Sequence, residues 1–135
     1  MPADVFFDTS VLVYTMGQQD QRTQVAEALL VAGGVVSVQV LNELVAVSRR
    51  KLRMEWREIQ AATELIRSLC ETPIPVSVEV HDHALRISQR HKYHIYDSLV
   101  IAAALEAGCA ILYSEDMQDG HSIESLRIRN PFRNL

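Results

Sequence analysis

Short apolar runs alternate along this chain with longer stretches of helical periodicity, and this alternation limits the available folds more than any other feature. The short runs have the length of buried strands, and we predict strands at residues 5–7, 35–38, 74–76, 110–113 and 126–128. Strands separated by helices imply right-handed crossovers and parallel pairing. The pattern therefore predicts an α/β fold: a three-layer α/β/α sandwich with a mainly parallel central sheet.

Helices are predicted where apolar residues recur at intervals of three and four. These stretches are residues 11–16, 21–32, 39–50, 55–70, 80–90 and 97–107. Gly33-Gly34 is a natural end for the second stretch and Gly108 for the last. The first strand meets the first helix at Asp8.

The length of 135 residues fits one folding unit, which we assign to residues 1–135. The longest apolar run, residues 99–105, is far shorter than the ~20 residues that cross a bilayer. No basic segment followed by an apolar one opens the chain, so we expect a cytoplasmic protein. Cys70 and Cys109 form neither a disulfide framework nor a metal clip, and we interpret them as reduced core residues.

The charge balance limits the kind of nucleic-acid contact that is available. The chain has 13 Lys and Arg against 17 Asp and Glu, for a net charge of −4. Indiscriminate binding to phosphate backbones needs an excess of cations, so any such contact must be local. The one dense basic stretch comprises Arg49, Arg50, Lys51, Arg53 and Arg57. It is either an RNA-binding surface or a solvated helix end with favourable charges.

Four acidic residues end predicted strands or begin the helices that follow them. They are Asp8, Glu43, Asp97 and Asp116, separated by 35, 54 and 19 positions, so only the fold can bring them together. In an open α/β sheet the ligand crevice lies beyond the carboxyl ends of the strands. No Lys or Arg lies within two positions of any of the four.

Unpaired carboxylates within ~4 to 6 Å of one another repel, and a bound divalent cation removes that cost. Carboxylate oxygens without a pair of cysteines favour Mg²⁺ or Mn²⁺ over Zn²⁺. We therefore predict a metal site formed by these four side chains.

Each acid taken alone also has a structural explanation. Asp8 and Asp97 stand where an N-cap is expected, and Glu43 lies beside an apolar stripe, as on a solvated helix face. Asp116 falls in a polar turn, residues 114–120. Two further acids of that turn, Glu115 and Asp119, add charge to the rim of the site, ligate a second ion or simply belong to the solvated turn. The coincidence of four acids at one edge favours the functional interpretation.

Four segments resemble the successive motifs of the PIN-domain family, and within it the VapC-type toxin ribonucleases of toxin–antitoxin pairs. They are Phe7-Asp8-Thr9-Ser10, Asn42-Glu43-Leu44, residues 96–104 (YDSLVIAAA) and residues 112–116 (LYSED). The resemblance implies an α/β/α sandwich that cleaves RNA with Mg²⁺ or Mn²⁺. It also implies a homodimer that is inhibited by a small antitoxin protein.

Carried over by position, Asp8, Glu43, Asp97 and Asp116 match the family's four acids. Ser114 matches its hydroxyl residue, and Ser10 replaces an Asn that the family often has there. A serine hydroxyl can still hydrogen-bond a carboxylate, so both serines are expected to support the metal ligands. The expected mechanism needs no protein nucleophile, because a divalent ion activates water for in-line attack on the phosphate.

Two other functions compete with a metal-dependent ribonuclease. A phosphoacceptor receiver domain needs a Lys after a late strand, but the only lysines, Lys51 and Lys92, both precede Asp97. A PIN-like module that binds RNA or protein without cutting stays open as the alternative.

His91 and His94 have a metal-like spacing with Asp97, and His121 adjoins the acidic turn. We interpret these histidines as surface residues.

Overall fold

The computed structural model describes residues 4–135, in which one strand is followed by six helices in succession and then by three further strands. The strands are β1 (Val5–Phe7), β2 (Ile111–Tyr113), β3 (Ser122–Ile123) and β4 (Leu126–Arg129). The helices are α1 (Thr9–Leu12), α2 (Gln21–Ala32), α3 (Val38–Arg50), α4 (Trp56–Leu69), α5 (Val78–His91) and α6 (Ile95–Glu106). A 3-10 turn, Val13–Thr15, continues α1, so the first predicted helix is split between two helix types.

The strands form one sheet in the order β1-β2-β4-β3. β1 pairs with β2 and β2 with β4 in parallel, with Phe6 opposite Leu112 and Leu112 opposite Ile128. β3 pairs with β4 antiparallel through two residue pairs. It was not predicted, because a strand of two residues has no periodicity to detect. The prediction of a mainly parallel sheet is confirmed.

The predicted strands at 35–38 and 74–76 are wrong as continuous strands. One parallel bridge, Phe6 to Val35, joins the first segment to β1, and a second, Ser37 to Ile74, joins the two segments to each other. The first ends early because Ser37 caps α3, its side chain accepting a hydrogen bond from the Val40 N–H at 3.1 Å. The second is flanked by Pro73 and Pro75, which have no N–H to donate to a ladder.

Both faces of the sheet are covered. Phe6 and Phe7 are consecutive in β1 and therefore point to opposite faces, yet both are fully buried. Seven consecutive residues of α6, Ser98–Ala104, are also buried, which makes α6 the most enclosed helix in the described part of the chain. Helices therefore pack on each side of the sheet, which confirms the predicted three-layer sandwich.

Two adjacent glycines allow the chain to return to the sheet after α2. Gly33 ends the helix with φ +94°, a conformation that side chains disfavour. A Cβ on Gly34 would lie 2.5 Å from Cε2 of Phe7, so only glycine lets the backbone cross this ring.

Cys70 and Cys109 are free thiols, half-buried and buried. None of the helices in residues 4–135 is long and apolar enough to cross a membrane.

The fold brings the ends of strands and the beginnings of helices to one edge of the sheet. β1 and β2 end there, at Phe7 and Tyr113, and α3 begins just beyond the neighbouring extended segment. α6 leads back to the start of β2, so its first turn, at Ile95, lies at this same edge. The loops and helix ends at this carboxyl edge hold the residues of the candidate site.

Candidate active site

A cleft of about 330 Å³ opens at the carboxyl edge of the sheet. The four acids singled out in the sequence all line it, although they come from four separate segments. Its walls are formed by Asp8, Thr9, Ser10, Val13, Tyr14, Glu43, Val47, Lys51, Asp97, Glu115 and Asp116.

Asp8 lies at the base of this cleft and is 5% exposed. Its Oδ2 accepts hydrogen bonds from the hydroxyls of Ser10 and Ser114, each at 2.8 Å. Asp8 occupies the predicted N-cap position of α1, but its side chain makes no capping hydrogen bond to the helix and lines the cleft instead. Burial raises the pKa of Asp8 to about 6 against the lowering effect of both hydroxyls, and the charges of Asp97 and Asp116 raise it further.

Glu43 faces Asp8 from the second turn of α3. It is half-buried and accepts a hydrogen bond from the Thr9 hydroxyl at 3.3 Å, so it does not lie on a solvated helix face. Burial first, and then the charge of Asp8, raise the pKa of Glu43 to about 7. Asp97 adds to this rise, while hydrogen bonds from Thr9 and Gln39 oppose it.

Asp97 does not cap α6, contrary to one interpretation of the sequence. The N-cap is His94, whose Nδ1 accepts a hydrogen bond from the Tyr96 N–H at 3.3 Å. Asp97 is the third residue of the helix, half-buried, and its side chain turns to the cleft. Burial and the charge of Asp116 raise the pKa of Asp97, and the charge of His94 lowers it.

Asp116 reaches the cleft from the exposed turn that follows β2. Ser114 shapes this turn, because its hydroxyl oxygen accepts hydrogen bonds from the backbone N–H groups of Asp116 and Met117, both at 3.2 Å. The same hydroxyl that donates to Asp8 therefore also holds the loop that presents Asp116.

Glu115 also lines the cleft, but both of its carboxylate oxygens have partners. The Tyr14 hydroxyl donates to Oε1 at 2.6 Å, and Arg22 Nε donates to Oε2 at 2.7 Å. Tyr14 and Arg22 were not foreseen, because they lie about a hundred positions before Glu115 and have no sequence motif. Asp119 lies outside the cleft and pairs with Arg133 at 3.0 Å.

The predicted basic stretch divides between the cleft and its surroundings. Lys51 lines the cleft, on the same face of α3 as Glu43 and Val47, which precede it at intervals of four residues. Arg49 lies over the ring of Trp56, with its guanidinium carbon 4.9 Å from the ring centroid. Arg50, Arg53 and Arg57 are exposed beyond the cleft.

No histidine is among the residues that line the cleft. His91 and His121 instead contact each other, with ring centroids 5.4 Å apart. His121 Nδ1 is also 2.8 Å from the Tyr93 hydroxyl, so it is part of a polar contact between the end of α5 and the turn before β3.

The donor set fits a hard divalent cation chemically, since four carboxylates share one cleft. Within residues 4–135 none of the four lies within ion-pair distance of a Lys or Arg, so their repulsion is not offset by a salt bridge. The same part of the chain holds no three Asp, Glu, His or Cys side chains already arranged as metal ligands. Binding would therefore require the side chains of the other three acids to turn toward Asp8, which two hydroxyls hold in place.

Several solved structures share this fold. VapC20 from Mycobacterium tuberculosis, described as a sarcin–ricin loop cleaving toxin, has a TM-score of 0.67 and 24% identity over 83% of this chain and 89% of its own. A toxin–antitoxin complex from Klebsiella pneumoniae has a TM-score of 0.71 and 18% identity, over 95% of this chain and 98% of its own. VapBC2 from Rickettsia felis, bound to a promoter DNA fragment, has a TM-score of 0.68 and 19% identity, over 93% of this chain and 97% of its own. At these identities the likeness establishes the fold.

The sequence itself carries the family assignment. No curated protein matches it significantly. The profile of the PIN domain, however, matches residues 5–118, a span that contains all four acids of the cleft. This chain therefore belongs to the PIN domain family.

Proposed function

We propose that this protein is a divalent-metal-dependent endoribonuclease and the toxin of a type II toxin–antitoxin pair. The observation that carries the proposal is the meeting of Asp8, Glu43, Asp97 and Asp116 in one cleft without a basic partner among residues 4–135. Membership of the PIN domain family supports nuclease chemistry. The similarity to a toxin that cleaves the sarcin–ricin loop supports RNA as the substrate class.

The chemistry follows from the positions of the four acids. Bound Mg²⁺ or Mn²⁺ would supply a water of lowered pKa and stabilise charge on the scissile phosphate. Asp8, Asp97 and Asp116 would hold the ion directly or through water. Ser10 and Ser114 fix the Asp8 carboxylate. Glu43, held by Thr9 on the facing helix, would complete the ligand set or orient the attacking water.

An acidic cleft repels RNA, so the substrate needs cations nearby. Lys51 is the basic residue that lines the cleft itself. Arg49, Arg50 and Arg53 extend the positive charge along the end of α3 and the turn after it. We propose that these residues bind the phosphates on either side of the cleavage site.

The proposed partners are a small antitoxin protein and a second copy of this chain. Similarity to the Klebsiella and Rickettsia complexes supports an antitoxin, and the resemblance to VapC-type toxins supports a homodimer. We propose the cytoplasm as the compartment, because cellular RNA is the substrate. Light scattering of the purified chain tests the dimer, and co-purification with the product of a neighbouring small reading frame tests the antitoxin.

Cleavage of a labelled single-stranded RNA by the purified chain tests the activity. We expect turnover with Mg²⁺ or Mn²⁺, none with EDTA, and a loss on the order of 100-fold in Asp8→Asn and Asp97→Asn. Asp82→Asn is the matched control, since it makes the same charge change on the exposed face of α5, away from the cleft.

Full activity in a folded Asp97→Asn variant would contradict the assignment. If the wild-type chain binds RNA with Mg²⁺ present but does not cut it, the alternative of a non-catalytic PIN-like binding module is correct. If the chain does cut RNA, mapping the new 5′ ends in total cellular RNA after brief expression identifies the target.

A further inference from the structure

Trp56, the single tryptophan of the chain, is 59% exposed at the first position of α4. An exposed indole of this size is unusual unless it contacts a partner. We propose that Trp56, with Arg49 against its ring, is a base-stacking platform for single-stranded RNA outside the cleft. This inference rests on the proposed function. It assigns the surface that an RNA strand contacts where it extends beyond the four acids of the cleft.

The platform follows the cleft closely along the chain. Glu43 in α3 lines the cleft, Lys51, directly after α3, also lines it, and Trp56 follows Lys51 by five residues. The corner between them is held in one shape, because Arg49 donates a hydrogen bond to the Met54 carbonyl at 2.9 Å. Arg53 takes the left-handed backbone conformation there, with φ +53°. A strand of RNA bound at the acids would meet Trp56 next.

The charge around Trp56 fits a polyanion. Between positions 49 and 57 five cations accompany one carboxylate, Glu55, in a chain whose net charge is −4. Glu55 is occupied in the capping box of α4. In the part of the chain that the structure describes, none of the five cations lies within ion-pair distance of a carboxylate. Solvated charges alone would explain the arginines but not an exposed indole among them.

The ring geometry favours a nucleobase over an apolar partner. Arg49 lies 4.9 Å from the ring centroid and covers one face of the indole by a cation–π contact. Even with this contact, 59% of the Trp56 surface is open to solvent. Proteins that bind single strands combine such aromatic faces with a positively charged path for the backbone. A protein partner at this point would have to desolvate the surrounding arginines.

Because no other tryptophan is present, the fluorescence of Trp56 reports directly on this surface. The full-length chain, in EDTA so that no cleavage occurs, is titrated with a 12-nucleotide oligouridylate. We expect quenching of Trp56 that saturates with RNA and no quenching by inorganic polyphosphate, which has the charge but no bases. Binding by anisotropy should weaken about 10-fold in Trp56→Ala and stay near the wild-type value in Trp56→Phe.

Leu65→Ala is the matched control, because Leu65 lies on the same helix and is equally exposed. It should leave the RNA affinity unchanged. In the cleavage assay Trp56→Ala should raise KM with little change in kcat, since the platform contacts the substrate away from the reacting phosphate.

Absence of quenching by RNA, or equal RNA affinities for wild type and a folded Trp56→Ala, would overturn the proposal. Equal quenching by polyphosphate would also overturn it, because the effect would then be electrostatic. A blue-shifted Trp56 emission that depends on protein concentration would show that a second copy covers the ring instead. Failure of the nuclease proposal is seen separately, as a wild-type chain that does not cut RNA while these binding results are unchanged.

Discussion

Ser114 donates a hydrogen bond to Oδ2 of Asp8 at 2.8 Å and so joins two residues 106 positions apart. Ser10 donates to the same oxygen, also at 2.8 Å. Oδ1 accepts no hydrogen bond from any residue between 4 and 135, so one side of the carboxylate is fixed and the other is left to the cleft. This arrangement sets the direction of Asp8 before any ligand binds.

Replacing Ser114 by Ala removes the hydrogen bond that its hydroxyl donates to the buried Asp8 carboxylate. It also removes the two hydrogen bonds that the hydroxyl accepts from the backbone N–H groups of Asp116 and Met117. We expect Ser114→Ala to lower the free energy of unfolding by about 1 to 3 kcal/mol and RNA cleavage by roughly 10-fold. Urea denaturation and initial cleavage rates measure the two effects. Ser68→Ala, which removes an exposed hydroxyl from α4, should change neither.

The raised pKa values make the stability of the metal-free protein depend on pH. Asp8 titrates near 3.8 when unfolded and at about 6 when folded, so between these values the folded state holds a proton that the unfolded state has lost. The free energy of unfolding therefore falls as pH rises from 4 to 6, by on the order of 2 kcal/mol. Glu43 acts in the same direction up to about pH 7, but less strongly because solvent reaches it.

Urea unfolding at pH 4.5 and pH 7 in EDTA measures this dependence. Asp8→Asn should reduce it, because its amide does not titrate. Adding Mg²⁺ should stabilise the wild type more at pH 7 than at pH 4.5, since the ion binds the ionised carboxylates. Equal stability of the metal-free wild type at both pH values would contradict the raised pKa values.

The two lysines of the chain provide a matched test of substrate binding. Lys51 lines the cleft, whereas Lys92 ends α5 on another part of the surface. We expect Lys51→Gln to weaken single-stranded RNA binding and to reduce the slope of log affinity against log salt by about 0.7, the value for one phosphate contact. Lys92→Gln should leave both unchanged. An unaltered salt slope in Lys51→Gln would mean that Lys51 is a solvated surface charge.

The sequence predicted best those features that have local signals. α2 has the predicted bounds because Asp20 caps its start and Gly33 ends it with a positive φ. The joint placement of the acids in one cleft followed from a general property of parallel sheets, whose carboxyl ends share an edge. None of this needed knowledge of side-chain contacts.

What could not be predicted depends on contacts between distant segments. A run such as 35–38 looks like a strand, but Ser37 begins a helix there, and the choice depends on a single capping bond. The sequence allows Asp97 either to cap α6 or to face the cleft, and only the fold shows that His94 is the N-cap. The partners of Glu115 come from α2 and the 3-10 turn, and no local pattern relates them.

Those partners lead to a last prediction, which separates Glu115 from its neighbour Asp116 in the same turn. Both line the cleft, but the Tyr14 hydroxyl and Arg22 occupy the two oxygens of Glu115, while Asp116 is exposed and in no ion pair within residues 4–135. Glu115→Gln should therefore leave Mn²⁺ affinity within about 3-fold of wild type, and Asp116→Asn should weaken it by 10-fold or more. Isothermal titration calorimetry with Mn²⁺ measures both. Since both changes remove one negative charge at adjacent positions, a long-range electrostatic effect would weaken the two equally, and such a result would show that Asp116 does not ligate the ion.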